Sequence, residues 1–393
     1  MRSNYSLVFV IGGLSRGGIE SHLVDVVTDL VKRSVDVSVI VLFDRGPLLE
    51  LLIDTGVQVV YPNKPISGSI HFRQLLSLDY LAHFFRCWKL LRRPGTIVHA
   101  FMPTNLIAGW ALSKVANVET VIASRVSRNF YKADRPLIHR CERFINRRIY
   151  AVFGNSRKVV NDLAQEGVPD SKIRLIYTGI DKEIFGQRSK SEMRSMLGIE
   201  RDQLVLCKVA NLIPYKGHHD LLKALFTIKD ELPKDWLLLL VGRDDGIGTA
   251  LRVLSEQLGI EKNVLFMGSR DDVNSILCAG DIGILTSHTE GFATAILEYM
   301  ATGIPVIATD VGGNQEALGD AAGVIVKLND IQDIGRQIAR LAQNEQLRIS
   351  MGKAGLDRIG KKFSVKATVD QYIETYEMSA STTSTDIPGN LMA

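Results

Sequence analysis

The chain has 393 residues, of which 46% are hydrophobic and 23% charged, and its formal net charge is +4. That length exceeds a single core and points to about two domains of ordinary soluble, globular composition. No run approaches the ~20 apolar residues of a membrane-spanning helix, and Cys87, Cys141, Cys207 and Cys278 are too dispersed for a metal site, fitting reduced cytosolic thiols.

Apolar runs that read as strands alternate with helical patterns from the N-terminus onward. The first, Leu7–Ile11, ends at Gly12-Gly13 as a β-strand does and not as a secretion signal does. Further strands are expected at 35–43, 58–61, 96–101, 120–124, 150–155 and 172–176, with helices such as 20–32 and 106–115 between them. This alternation is the signature of a doubly wound parallel sheet. The pattern pauses in a turn-rich link near 177–185 and restarts with strands at 204–209, 237–241, 264–267, 282–285, 305–309 and 323–326. The expected architecture is α/β, with two Rossmann-like domains, 1–185 and 186–364, facing a ligand cleft. A last helix, 365–378, is expected to pack back on the first domain, and the Ser/Thr-rich tail 379–393 to be disordered.

Charge is uneven. Residues 1–186 carry 25 Lys and Arg against 16 Asp and Glu, a net +9, while the remainder carries −5. A basic first half points to an anionic partner. Its helical stretches 84–93 and 135–150 mix Arg and Lys with large apolar residues. They read either as solvated faces over a core or as interfacial helices resting on anionic lipid. No stacking platform or known module supports nucleic acid.

Several turns carry the residues that chemistry needs. Gly12, Gly13, Gly17 and Gly18 surround the first strand–helix turn, where backbone can approach a phosphate or sugar closely, but the spacing is not that of a dinucleotide fingerprint. His99 falls at the end of a strand, either as a satisfied core residue or facing a ligand. In the second half Lys216-Gly217 precedes a helix, where an ammonium can neutralise a diphosphate. His218 and His219 are adjacent, diverge, and have no third ligand nearby, so they do not read as a metal site. The stretch 286–316, TSHTEGFATAILEYMATGIPVIATDVGGNQE, holds two strand–turn–helix transitions. Glu290 lies just before its first helix, and Thr294 and Glu298 share one face by i,i+4 spacing. Carboxylates beside an anion site suit sugar and ribose hydroxyls, because a carboxylate only accepts hydrogen bonds. The D-x-D pair that would hold a divalent metal on a nucleotide diphosphate is absent from the sequence.

The segment EGFATAILEYMATGIPVIATDVGG resembles the E-x7-E region of the family 4 (group 1) retaining glycosyltransferases, which have the two-domain GT-B fold. GGLSRGGIE is similar to the family's N-terminal Gly loop, NSRKVVNDLAQEGVPDSKIRLIYTGIDKEIF to its interdomain segment, and VANLIPYKGHHDLL to its diphosphate-binding Lys motif. The resemblance implies transfer of a sugar from a nucleotide-diphosphate sugar, a UDP-sugar, to a glycan or lipid-linked acceptor in cell-envelope synthesis. It implies no cofactor and no metal; the dispersed thiols and the basic first half add the expectation of a cytoplasmic protein, peripheral at the inner face of the membrane. On this pattern Glu298 holds the donor ribose, Lys216 the diphosphate, and Glu290 the transferred sugar. Backbone amides from Phe292 through Ala293 and Thr294 to Ala295 meet phosphate, Gly291 is also on the donor side, and Gly17 and Gly18 close over the donor. Lys216, Glu290 and His99 are the expected catalytic residues, with Gly13 and Arg16 on the acceptor side. Two departures stand out. Asn211 occupies the place of an Arg five residues before the Lys, with Arg243 or Arg270 as possible replacements. The loop ASRVSR lacks the family's His, with Arg125 or Arg128 as substitutes on the acceptor side. Rival readings are an epimerase or phosphorylase of the same fold, and a non-catalytic binder of nucleotide sugars.

Overall fold

A computed structural model describes residues 5–15, 17–65, 77–126 and 135–385. Its contacts divide the chain into two units, Met1–Gly179 with Val365–Ala393, and Ile180–Ser364.

The first unit is built on seven strands: β1 (Ser6–Gly13), β2 (Asp36–Asp44), β3 (Gln58–Val60), β4 (Thr96–Phe101), β5 (Thr120–Arg125), β6 (Ala151–Gly154) and β7 (Ile173–Leu175). They lie in the order β3-β2-β1-β4-β5-β6-β7, and every recorded pairing is parallel. Alternate residues of a strand face opposite sides, so Leu7, Phe9 and Ile11 enter one core while Val8 and Val10 enter another. The first core is closed by helix Gly18–Lys32 and by the last helix, Val365–Thr385, which contributes Val369, Tyr372 and Tyr376. That last helix runs to Thr385, past the end expected at Met378, so the described part of the Ser/Thr-rich tail, 379–385, is helical and not disordered. Its hydroxyls explain this. Ser379 and Ser381 donate back to the carbonyls of Tyr376 and Glu377, and so satisfy themselves without leaving the helix. Residues 386–393 lie outside the described part.

The second unit has six strands: β8 (Val205–Val209), β9 (Leu237–Val241), β10 (Val264–Gly268), β11 (Ile282–Leu285), β12 (Val306–Thr309) and β13 (Gly323–Val326). Their order, β10-β9-β8-β11-β12-β13, reverses between β8 and β11. Ligands of open α/β sheets bind outside the strand ends at such a switch point. The ladder between β8 and β11 is short, pairing Ile282 with Leu206 and Gly283 with Cys207. Beyond it the fully buried Tyr299 inserts its phenol. Val209 N–H donates to the Tyr299 oxygen at 2.7 Å, and that oxygen lies 3.4 Å from the Ile284 carbonyl. Gly283 makes this possible, since any Cβ there would overlap the Tyr299 ring. The sheet therefore opens at its switch point with a side chain bridging the gap.

Candidate functional site

The site forms on the loops that leave β8, β11 and β12. After β8 the chain runs through Asn211 to a 3₁₀ turn, Pro214–Lys216, and then helix His218–Thr227. Gly217 sits between them at φ +65°, and a Cβ on it would overlap the Thr286 carbonyl oxygen. The loop after β11 therefore lies directly on the Lys216-Gly217 backbone, a closeness only glycine permits. Gly312, at φ +57°, similarly abuts the Glu290 carbonyl, and Gly313 N–H donates to Gly291 at 2.8 Å. Further bonds tie the first two loops: His288 N–H to the Tyr215 carbonyl at 2.7 Å, and His288 Nε2 to Asp220 at 2.6 Å.

These constraints bring Lys216 and Glu290 together. Lys216 Nζ donates to Glu290 Oε1 at 2.7 Å, with both side chains mostly buried. Helix Thr294–Ala301 begins four residues after Glu290 and lacks a side-chain N-cap. Its first-turn amides give the end of that helix the partial positive charge that favours anions. Glu298 lies one turn in and is half-buried. Gly291, Phe292 and Ala293 form the buried turn between Glu290 and the helix, with Phe292 packed on Phe363. Thr294 opens the helix.

Other expected residues lie elsewhere or are already engaged. Asn211 Oδ1 accepts from Arg243 N–H, tying the β8 loop to the β9 loop. Arg243 and Arg270 are exposed, and each is held bidentately by an acid two residues on, Asp245 and Asp272 respectively. Both are thus ion-paired within their own loops, and the backbone N–H of Arg243 lies against Asn211 itself. His99 is corrected from a ligand-facing to a core residue. It is wholly buried on β4, with Nδ1 2.7 Å from the Tyr376 hydroxyl and Nε2 2.8 Å from Ser124 Oγ. Phe101 stacks on it, and burial holds its imidazole down at about 3, hence neutral. Arg125 is likewise buried. It pairs with Glu142 at 2.9 Å and with Glu166 at 2.8 Å, so its charge is spent inside the first unit. In the first Gly loop, Gly13 packs on Asp44, Gly17 caps helix Gly18–Lys32, and Glu20 folds over Gly17. Arg16 and Arg128 lie outside the described residues.

Lys208 escaped the sequence reading. It lies on β8 with no exposed surface, and its Nζ donates to Thr286 Oγ1 at 2.8 Å beneath the two loops. A lysine inside the apolar run LVLCKV was the available signal.

With this geometry in view, comparison with known proteins identifies the chain. A family model described as "Glycosyltransferase Family 4" matches residues 16–184, and one described as "Glycosyl transferases group 1" matches residues 189–358. The chain belongs to the family 4, group 1 glycosyltransferases. It is similar to the N-acetyl-alpha-D-glucosaminyl L-malate synthase of Bacillus anthracis, 30% identical over 56% of this chain and 58% of that enzyme. The aligned part is thus little more than half of that relative. The UDP-Gal:alpha-D-GlcNAc-diphosphoundecaprenol alpha-1,3-galactosyltransferase of Escherichia coli is 25% identical over 85% of this chain and 87% of its own. Among solved structures, Anabaena HepE in complex with UDP and glucose superposes with a TM-score of 0.80 at 23% identity, over 95% of this chain and 99% of that one. That likeness shows the fold, the paired Rossmann-like sheets of the GT-B class.

Proposed function

We propose that this glycosyltransferase moves a sugar, with retention of anomeric configuration, from a UDP-sugar to a glycan or lipid-linked acceptor in cell-envelope polysaccharide or glycolipid synthesis. The Lys216–Glu290 pair at the switch point carries the reading. Each group of the pair neutralises the other. A donor diphosphate offers Lys216 a second anionic partner, and the Glu290 carboxylate then accepts hydrogen bonds from the sugar's hydroxyls. Glu298 accepts from the ribose, and the amides opening helix Thr294–Ala301 face phosphate. As the bond between the anomeric carbon and the phosphate oxygen breaks, charge grows on the diphosphate, where Lys216 stabilises it. The acceptor oxygen bonds to the same face of the anomeric carbon, and its proton passes to the departing diphosphate. The similarity to the E. coli enzyme, named for UDP-Gal and a diphosphoundecaprenol acceptor, supports the donor and acceptor classes.

The test is product analysis by NMR with UDP-sugars and a lipid-linked acceptor, with and without EDTA. The expected result is an α-linked product from an α-donor, formed in the presence of EDTA. Lys216→Ala should weaken UDP binding by about 2–5 kcal/mol, the usual cost of truncating one partner of a buried charge pair. Activity lost on chelation and restored by Mg²⁺ would overturn the metal-free reading, and an inverted product would overturn retention.

We further propose peripheral membrane contact at the inner face of the cytoplasmic membrane. Among the described residues no helix is long and apolar enough to cross a bilayer. Helices Leu78–Leu91 and Pro136–Asn146 instead leave Leu78 84%, Phe85 59% and Leu137 73% exposed. Arg86, Lys89, Arg140 and Arg148 lie on or beside them. Co-sedimentation should be stronger with anionic than with neutral vesicles and should be reversed by salt, each basic residue contributing about 1 kcal/mol. Equal binding to both vesicle types would refute it.

A further inference from the structure

Lys208 is an expensive residue where it stands. It has no exposed surface, and its neighbours on β8 are Cys207 and Val209. An ammonium offers three donors, yet among the described residues its one recorded hydrogen bond is to Thr286 Oγ1 at 2.8 Å. Thr286 passes that bond on, donating to the Gly217 carbonyl at 2.6 Å. Thr286 is the first residue after β11, and Gly217 directly follows Lys216. Lys208 therefore sits under the loops that carry Lys216 and Glu290 and cross-links them.

The charges around it are mixed. Lys216 repels it, and Glu290 and Asp220 attract it. Asp220 is shared with His288. His218, at the start of helix His218–Thr227, is buried too; burial and then Lys208, with smaller contributions from His219 and Lys216, hold its imidazole down at about 2, so it adds no charge. Burial, more than Lys216, pushes the Lys208 amine down to about 7. Near neutral pH this amine stands at the midpoint of its titration.

The chain lacks a second cation at position 211, Arg243 and Arg270 are bound to their own acids, and Lys216 is offset by Glu290. We propose that Lys208 is the second cation of the diphosphate subsite. It is a positioning residue that acts through Thr286 and Gly217 without touching the ligand, and it takes up a proton from the medium when a nucleoside diphosphate binds. The inference rests on the reading of these loops as a nucleotide-diphosphate site. Negative charge above the loops favours the ammonium over the amine, and the ammonium draws Thr286 and the Lys216-Gly217 turn into place.

The experiment is calorimetry of UDP binding to the full chain in buffers of different ionisation enthalpy at pH 7.5, for wild type, Lys208→Met and Thr286→Val. Wild type should take up roughly half a proton per UDP more than Lys208→Met. UDP affinity of wild type should fall about tenfold more steeply than that of Lys208→Met between pH 6.5 and 9. Thr286→Val should lose affinity together with much of the extra proton uptake, because the coupling of Lys208 to the ligand runs through that hydroxyl. Thr286→Val, nearly isosteric, also carries the test should Lys208→Met fail to fold: full UDP affinity in that variant overturns the relay. Equal proton uptake in wild type and Lys208→Met overturns the proposal, provided that Lys216→Ala weakens UDP. If wild type binds neither UDP nor GDP, the reading of the site itself fails, and this inference falls with it.

Discussion

Removing the phenolic oxygen of Tyr299 tests why the second sheet opens where it does. Tyr299→Phe keeps the ring over Gly283 and deletes the acceptor of the Val209 N–H, 2.7 Å away, with the longer 3.4 Å contact to the Ile284 carbonyl. A buried amide left without an acceptor costs about 1–3 kcal/mol. The longer contact is too stretched to add much. For a unit of this size 1 kcal/mol corresponds to roughly 2–4 °C, so the transition of the second unit should fall by about 2–12 °C. Scanning calorimetry of the full chain measures it, with UDP titration alongside. Val209 leads into the loop that ends at Lys216, so UDP affinity should drop with stability. Gly283→Ala should be far worse, because its Cβ would overlap the Tyr299 ring, which is wholly buried and has nowhere to go. A Tyr299→Phe protein melting within about 1 °C of wild type would refute the strut. A stable Gly283→Ala protein would refute the placement of the ring.

Glu290→Gln should chiefly lower kcat and spare UDP binding, because a contact to the reacting sugar matters most in the transition state. Glu298→Gln should instead weaken UDP and donor alike by roughly 1–3 kcal/mol; initial rates and calorimetry on both variants separate the two. His99→Ala should destabilise the protein by about 2–4 kcal/mol, through the cavity and the lost hydrogen bonds to the Tyr376 and Ser124 hydroxyls. Its UDP affinity should not change, and a fall in UDP affinity without a fall in urea midpoint would restore His99 to a ligand role. Lys208→Met should alter the pH dependence of stability. The folded amine at about 7 lies below its unfolded value of 10.5, so the unfolded chain binds more protons between these limits. Wild-type stability thus gains about 1.4 kcal/mol per pH unit from this group as pH rises above 7. Urea midpoints at pH 6.5, 7.5 and 9 should favour Lys208→Met most at pH 6.5, with the advantage shrinking upward.

The architecture was legible because it is written in periodicity. Buried parallel strands read as short apolar runs bounded by turns, and most of the expected runs fall within a residue or two of the observed strands, as 204–209 does for β8 (Val205–Val209). Thr294 and Glu298 do lie one turn apart on helix Thr294–Ala301, as their i,i+4 spacing implied, and Gly303 follows the helix at positive φ. The last helix was cut short at Met378 because Ser and Thr lower helix propensity, while back-bonding to carbonyls a turn earlier keeps them helical once the apolar face is docked. The site loops were legible for a different reason. Gly217 and Gly312 mark backbone crossings that no other residue allows, and such crossings hold Lys216 against Glu290.

What the sequence hid is the direction in which an ionisable side chain points within an otherwise apolar strand. His99 and Lys208 occupy equivalent contexts, each a polar residue in a buried run, and the sequence reading singled out only His99. Sequence carries the alternation of faces but not what covers each face. His99 turns into a core where the Tyr376 and Ser124 hydroxyls, one of them from a helix 277 residues away in the chain, complete its hydrogen bonds and cancel any need for ligand. Lys208 turns toward the loops, where its one bond goes to Thr286, 78 residues on. Both partners are remote in sequence, so no local pattern announces them. The arithmetic of satisfaction separates the two residues once they are placed. A neutral imidazole with both nitrogens engaged is complete, whereas an ammonium with one acceptor is under-served in a low-dielectric interior. A fold that keeps such a group beneath two loops at a topological switch point has a use for its charge only when an opposite charge arrives above it.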